Sequence, residues 1–311
     1  MKVDDILICP ACKNSLVRHT DVFECSNRNC VHSQRDCFFD CIDGIPVLVS
    51  EIACDTVFSS SQVDPMVKRS GDGGILRSLK RHIVGESRVT KKNIAHFIRV
   101  LLAGTDNPRV LIIGSGEIGS GLGELYSSDT QLVGTDIYIS PLVDFIADAH
   151  YLPFKNVSFD GVVIQAVLEH VVDPQLVVSE IHRVLTVDGF VYAETPFMQQ
   201  VHEGAYDFTR YTVLGHRYLF KNFDRLDAGG LDGVGVVLAW SFRSFIHAIT
   251  RSRLIAKLIF VPVKYFLTFV EKTADSRSLH DSNSGSFFLG QKSEKTLAHK
   301  DLIKEYEGFK S

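Results

Sequence analysis

Between Arg109 and Gly123 the chain reads RVLIIGSGEIGSGLG. An apolar run long enough for one strand ends on Gly114, and Gly116 and Gly119 follow before a short helical segment. Glycine lets the backbone turn sharply and lets successive N–H groups come close to a ligand. A strand, a glycine turn and a helix in this order form the opening unit of a nucleotide-binding α/β sheet. Taken alone, the spacing also fits a tight strand-to-helix turn that holds nothing.

The downstream sequence extends the pattern. QLVGTDI, DGVVIQAV and GFVYAET read as strands, and PQLVVSEIHRVL between the last two reads as a helix. The strand runs are apolar without polar alternation, which predicts a parallel sheet covered on both faces. Strands alternating with helices predict a doubly wound, Rossmann-like α/β domain. TKKNIAHFIRVLLAG before the first strand has helical spacing, with Thr90 as its N-cap and Gly104 as its stop. SGSFFLGQK reads as a last strand. The 311 residues are 45% hydrophobic and 23% charged, enough to bury a core, and the net charge of −4 gives no general attraction for nucleic acid. The expected division is a cysteine-rich segment at 1–50, a linker with a short basic helix at 51–89, the α/β domain at 90–292 and a polar tail at 293–311.

Two chemistries use such a glycine turn: hydride transfer from a dinucleotide and methyl transfer from S-adenosylmethionine. The series IADAHYLPF, FDGVVIQAVLEHVVDP and VLTVDGFVYAETP decides between them. Over Arg109 to Pro196 the chain resembles the class I S-adenosylmethionine-dependent methyltransferases, in particular the type 11 methyltransferase-domain group. The resemblance implies that Gly114, Gly116 and Gly119 pass the methionyl and ribose part of the cofactor and that Asp136 binds the ribose hydroxyls. It implies that Asp148 meets the adenine amino group beside Ala149, and that Gln165 marks the strand end where the methyl group is presented. Asp148 also reads as a helix N-cap, and Gln165 as a solvated strand end. His170 reads as a polar residue in the helix start after the DGVVIQAV strand. One position departs from the family pattern: the acidic residue two places before the first glycine is Ile112 here.

The segment ETPFMQQVHEGAYDFTRYT follows the GFVYAET strand, at the carboxyl end where α/β enzymes place ligands. It resembles a segment of methyltransferases from bacterial polysaccharide and cell-envelope sugar pathways, and implies a glycan or glycolipid acceptor or another small molecule. A hydroxyl acceptor needs its proton removed. His202 is the candidate base, with Asp207 orienting it or serving instead. Arg210 and Tyr211 are candidates for holding the acceptor, and an Asp–Arg pair that merely latches the loop is the structural alternative. Two rival functions remain at this point: a non-catalytic methyltransferase-like scaffold, favoured by Ile112, and an NAD(P)-dependent sugar-modifying enzyme, favoured only by the glycine spacing.

Six of the seven cysteines fall in the first 41 residues. No basic stretch followed by an apolar one opens the chain, so no secretory leader and a cytoplasmic site are expected, where clustered thiols hold metal more often than disulfides. Cys9 and Cys12 form a C-x-x-C knuckle and Cys25 and Cys30 offer a second pair, with His32, Cys37 and Cys41 as spare donors. The segment resembles a small zinc ribbon of the Trm112-like kind, implying one structural Zn2+ on Cys9, Cys12, Cys25 and Cys30. Residues 240–275 combine apolar positions with Arg243, His247, Arg253, Lys257 and Lys264. Charge and Pro262 interrupt the stretch too often for a membrane span. It reads as a helical cap or homodimer contact, or as an amphipathic helix lying on the inner membrane face.

Overall fold

The computed structural model describes residues 3–61 and 87–310. The short basic helix expected within 75–85 lies outside the described residues. The chain opens with a small antiparallel sheet in the order β1 (Leu16–Arg18), β2 (Val22–Cys25), β3 (Phe39–Ile42), β4 (Ile45–Pro46). Helix α1 (Arg88–Gly104) then leads into the large sheet. Its N-cap is Ser87, whose hydroxyl accepts from the Thr90 amide, one turn earlier than the Thr90 cap expected from sequence. Thr90 is instead buried on the helix's inner face and donates its hydroxyl to Glu194.

The strands of the large sheet are β5 (Arg109–Ile113), β6 (Gln131–Asp136), β7 (Phe145–Ile146), β8 (Phe159–Gln165), β9 (Leu185–Pro196), β10 (Phe223–Gly230) and β11 (Gly285–Lys292). In space they run β10-β11-β9-β8-β5-β6-β7. β5 pairs in parallel with β6 and β8, β6 with β7, and β8 with β9. β11 is antiparallel to both of its neighbours, β9 and β10. The chain therefore winds outward in one direction from β5 through β7 and in the other from β8, so the topological switch point lies between β5 and β8. A doubly wound sheet opens its ligand crevice there, at the carboxyl ends of the strands.

Val110 to Ile113 and Val162 to Ile164 are all buried, as expected of strands covered on two faces. Helices α2 (Gly123–Tyr126), α3 (Pro174–Val184) and α4 (Val213–Leu219) follow β5, the β8 loop and β9. α3 begins on Pro174 with the Asp173 side chain accepting from the Leu176 amide, the usual economy of a proline at the first helical position. Helices α5 (Val234–Thr250) and α6 (Arg253–Val270) form a packed hairpin between β10 and β11, and α7 (Ser278–Asp281) follows. The segment after β11 carries α8 (His299–Leu302) and docks back on the domain, with Arg217 pairing Glu305 at 3.1 Å and Tyr306 donating to Asp281 at 2.8 Å.

The small cysteine-bearing sheet is built into the same core as the large one. Ile6, Leu7, Phe23, Phe39 and Leu48 join Phe145, Phe154 and Phe159 in one buried cluster. Phe154 stands edge-on to both Phe145 and Phe159, with centroids 5.7 and 5.0 Å away. Backbone bonds from Ile8 to Pro153 and from Leu48 to Ile146 stitch the two parts together, and Lys13 pairs Glu180 at 2.8 Å. The segment thereby covers the β7 edge of the large sheet, whose backbone groups would otherwise face solvent.

Candidate active site

At the carboxyl ends of β5, β6, β8 and β9 the structure opens a cavity of about 1630 Å³. A pocket for one drug-sized ligand is typically about 300–1,000 Å³, so this one has room for a cofactor and a second molecule. Gly114, Gly116, Gly119, Asp136, Ala149 and Gln165 all line it.

The glycine turn is held by its neighbours. Gly114 has φ +81°, a left-handed conformation, and a Cβ there would run into the Val167 side chain. The ring of Tyr138 occupies the space that a side chain at position 116 would need. Asp136 ends β6 and accepts from the Gly116 amide at 2.7 Å and from the Ile137 amide at 2.7 Å, which fixes the carboxylate at the lip of the turn. Ile112, in place of the family's acid, is buried apolar wall of the cavity.

Asp148 does not line the cavity. Its carboxylate caps the short turn Ala149–Tyr151, accepting from the His150 amide at 2.9 Å, and also meets His150 Nδ1 at 2.6 Å and the Thr56 hydroxyl at 2.5 Å. The capping reading of Asp148 describes its geometry, and Ala147 and Ala149 present the wall on that side. The Gln165 amide is engaged as well, donating to the Ser120 carbonyl at 3.1 Å and to Glu194 at 2.6 Å. Glu194 is a buried wall residue that sequence reading passed over as one more strand position. It accepts from Gln165, Thr90 and Tyr192, and burial raises its pKa above the usual carboxylate range.

The loop after β9 brings His202 to the cavity with Gln199, Glu203 and Tyr206. Asp207, Arg210 and Tyr211 lie behind it and do not line the cavity. Asp207 forms a two-pronged pair with the Arg210 guanidinium, 2.6 Å on one arm, and its pKa is held down at about 2 by that cation. Arg210 also donates to the carbonyls of Gln199 and Thr209, so it fastens the loop rather than facing a ligand. Tyr211 packs on the hydrophobic core. Asp207 instead supports His202: its Oδ2 accepts the His202 amide at 2.9 Å and stands 3.3 Å from Nδ1 of the ring.

Facing His202 are two residues from the turn after β8, Glu169 and His170. Nε2 of His170 lies 3.1 Å from Nε2 of His202, and its Nδ1 lies 2.7 Å from the Tyr206 carbonyl. Burial lowers the His170 pKa. Glu169 is fully buried, with its pKa pushed up to about 8 mainly by loss of solvent. Sequence reading missed Glu169 and set His170 down as structural, although the adjacent pair was visible in AVLEHVVDP. The inner face of the α5–α6 hairpin closes the opposite side with Trp240, Arg243, Phe260, Lys264 and Tyr265.

In the N-terminal segment the Sγ atoms of Cys9, Cys12, Cys25 and Cys30 lie within 4.8 Å of one another. Cys9 and Cys30 are 3.8 Å apart and Cys12 and Cys25 3.3 Å. Four thiolates about 2.3 Å from a tetrahedral zinc stand about 3.8 Å from one another, so the cluster has the right size. His32 is spent elsewhere, bonded to the Cys37 carbonyl at 2.5 Å and the Ser50 hydroxyl at 2.6 Å, and Cys37 and Cys41 do not join the cluster.

Residues 113–193 match the family described as Methyltransferase domain. No curated protein matches this sequence. Among solved structures the chain is similar to the Haemonchus contortus phosphoethanolamine N-methyltransferase 2 in complex with S-adenosyl-L-methionine, at 16% identity and a TM-score of 0.45, over 73% of this chain and 59% of that one. It is similar to a SAM-dependent methyltransferase from Archaeoglobus fulgidus at 15% identity and a TM-score of 0.41, over 70% of this chain and 99% of that one. A chain from a complex of the Haloferax volcanii Trm112 methyltransferase activator is similar at 16% identity and a TM-score of 0.41, over 72% of this chain and 98% of that one. The family match spans the glycine turn, the Asp136 strand end, β8 and most of β9, the elements that build the cavity; the chain carries an S-adenosylmethionine-dependent methyltransferase domain.

Proposed function

We propose that this enzyme transfers the methyl group of S-adenosylmethionine to a hydroxyl of a sugar or sugar-linked precursor of a polysaccharide or the cell envelope. The observation that carries the reading is that one cavity joins the glycine turn and Asp136 to the cluster of Glu169, His170 and His202. Gly114, Gly116 and Gly119 pass the methionyl and ribose part, Asp136 takes the ribose hydroxyls, Ala149 flanks the adenine and Gln165 borders the methyl group. Oriented attack supplies up to ~7–11 kcal/mol of such a barrier. The acceptor oxygen forms the new bond to carbon, the S–C pair stays on sulfur, and His202 takes the hydroxyl proton while Asp207 holds its ring. Arg243 and Lys264 give the acceptor end two cations, which suits a phosphate or carboxylate on the acceptor. This role passes to them from Arg210 and Tyr211, which the structure puts behind the loop. Cys9, Cys12, Cys25 and Cys30 hold a structural Zn2+.

The hairpin's outer face exposes Phe245, Ile249, Leu254, Leu258, Phe266 and Phe269. No described helix is long and apolar enough to cross a membrane. We infer that this face rests on an apolar surface, a membrane interface or a second copy, while the inner face closes the cavity. Ile112 favours a second reading, a cofactor-silent scaffold. Transfer of radiolabelled methyl from S-adenosylmethionine to a panel of neutral sugars, sugar phosphates and amines separates these. Label in a sugar phosphate is expected, with Arg243→Ala raising KM about tenfold or more, the value of a lost charged hydrogen bond. Label confined to amines contradicts the acceptor, and cofactor binding without transfer to any class supports the scaffold.

A further inference from the structure

Where the acceptor end of the cavity meets the turn after β8, three potential ligand atoms converge, one each from Glu169, His170 and His202. The outer nitrogens of both histidines are committed. His170 Nδ1 faces the Tyr206 carbonyl at 2.7 Å, and a carbonyl only accepts, so this nitrogen carries a proton. His202 Nδ1 faces the Asp207 carboxylate at 3.3 Å and carries one for the same reason. In the neutral rings both Nε2 atoms are then bare lone pairs, pointing at each other across 3.1 Å. Glu169 Oε1 stands 3.6 Å from the first and 3.8 Å from the second. Glu169 is fully buried, and among the described residues neither of its carboxyl oxygens has a hydrogen-bond partner. Burial disfavours the ionised form of this group, and a cation within reach restores it.

We propose that Glu169 Oε1, His170 Nε2 and His202 Nε2 form a binding site for a divalent transition-metal cation, open toward the cavity at its remaining position. The dimensions fit. Donors about 2.0–2.2 Å from an ion in tetrahedral array stand about 3.3–3.6 Å apart, and the three separations here are 3.1, 3.6 and 3.8 Å. Two imidazoles and one carboxylate with an open position are a donor set of catalytic rather than structural metal sites. The outer shell is in place as well: a carbonyl behind one ring and a carboxylate, itself clamped by Arg210, behind the other, which fix both tautomers with Nε2 inward.

This inference rests on reading the cavity as a methyl-transfer site. There the cation binds the acceptor hydroxyl and acidifies it, and the proton passes to solvent water. The oxygen pair then forms the bond to the methyl carbon, and the S–C pair leaves with sulfur as a neutral thioether. With the cation in place His202 holds it, the proton that His202 takes in the metal-free reading goes to water, and loss of His202 cuts turnover by either route.

The test is a Mn2+ titration of the full-length chain followed by electron paramagnetic resonance, with S-adenosylhomocysteine binding measured on the same samples. Mn2+ prefers nitrogen and oxygen to thiolate, which keeps the cysteine cluster out of the reading. One equivalent of Mn2+ should bind and be displaced by Zn2+. His202→Ala, a partly exposed position, should weaken Mn2+ by at least about 100-fold, and Glu169→Gln should do the same, while Cys9→Ser leaves it unchanged. Bound Mn2+ without S-adenosylhomocysteine binding supports the metal site and overturns the methyl-transfer reading. Failure of the wild-type chain to take up Mn2+ or Zn2+ at this site, with imidazole nitrogen resonances showing a proton shared between the rings, overturns the site. Equal Mn2+ affinity in wild type and His202→Ala overturns it too.

Discussion

At the residue scale, the decisive pair is His202 and Asp207. With Arg210 holding the Asp207 carboxyl near 2, that group is a poor proton acceptor, whereas the His202 ring faces the cavity. His202→Ala is expected to cut turnover about 10²–10⁴-fold with S-adenosylhomocysteine affinity near wild type. Asp207→Asn should cost less, because it loosens a support, and should shift the acidic limb of the pH–rate profile that a merely structural loss leaves in place. Turnover that survives in His202→Ala and collapses in Asp207→Asn would reverse these roles. The sequence showed His202 among polar neighbours but not which of them turned toward it. Arg210 looked like a ligand contact because its fork suits anions, and its partner proved to be Asp207, three residues away. Glu169 and Glu194 were hidden for another reason. A carboxylate inside an apolar segment reads as a helix start or a strand position until the fold shows it buried on a cavity wall.

At the scale of elements, the spacing of apolar runs was enough to place β5, β6, β8, β9, β11 and α3, because each is long and buried with an unbroken pattern. It did not place the α5–α6 hairpin over the cavity. An amphipathic stretch with basic residues fits a cap, a dimer or a lipid surface equally well, and only tertiary packing turns Trp240 and Lys264 inward. The N-terminal sheet was legible from its cysteines, yet its fusion with the main core was not, since contacts such as Phe154 on Phe145 join distant segments. One zinc per chain is expected at the cysteine cluster. Cys9→Ser should release it and loosen the small sheet, because in so small a unit metal binding and folding are coupled. Elemental analysis of chelator-free protein with no zinc would contradict that assignment.

At the scale of the whole molecule, acid stability reports on the buried face of α4. His216 is fully buried, with its pKa lowered to about 3 by loss of solvent, and its Nε2 lies 3.1 Å from the Thr195 hydroxyl. The unfolded ring titrates near 6.5. The folded state therefore keeps its full stability above about pH 6.5. It loses stability as pH falls from there toward 3, by up to about 1.4 kcal/mol per pH unit, because the unfolded chain binds the proton first. His216→Gln should flatten this part of the stability-against-pH curve relative to wild type, read by thermal melts between pH 7 and 4. An unchanged slope would mean that the ring is already protonated, or solvated, in the folded protein. The chemistry of the whole molecule depends on what the glycine turn and Asp136 hold. Calorimetry with S-adenosylhomocysteine and with NAD, on wild type and Asp136→Ala, tests it most directly. One S-adenosylhomocysteine bound per chain is expected, with no heat from NAD and at least a tenfold loss of affinity in Asp136→Ala, the value of charged hydrogen bonds of about 1.5–3 kcal/mol. Binding of NAD in place of S-adenosylhomocysteine, or an S-adenosylhomocysteine affinity untouched by Asp136→Ala, would contradict it.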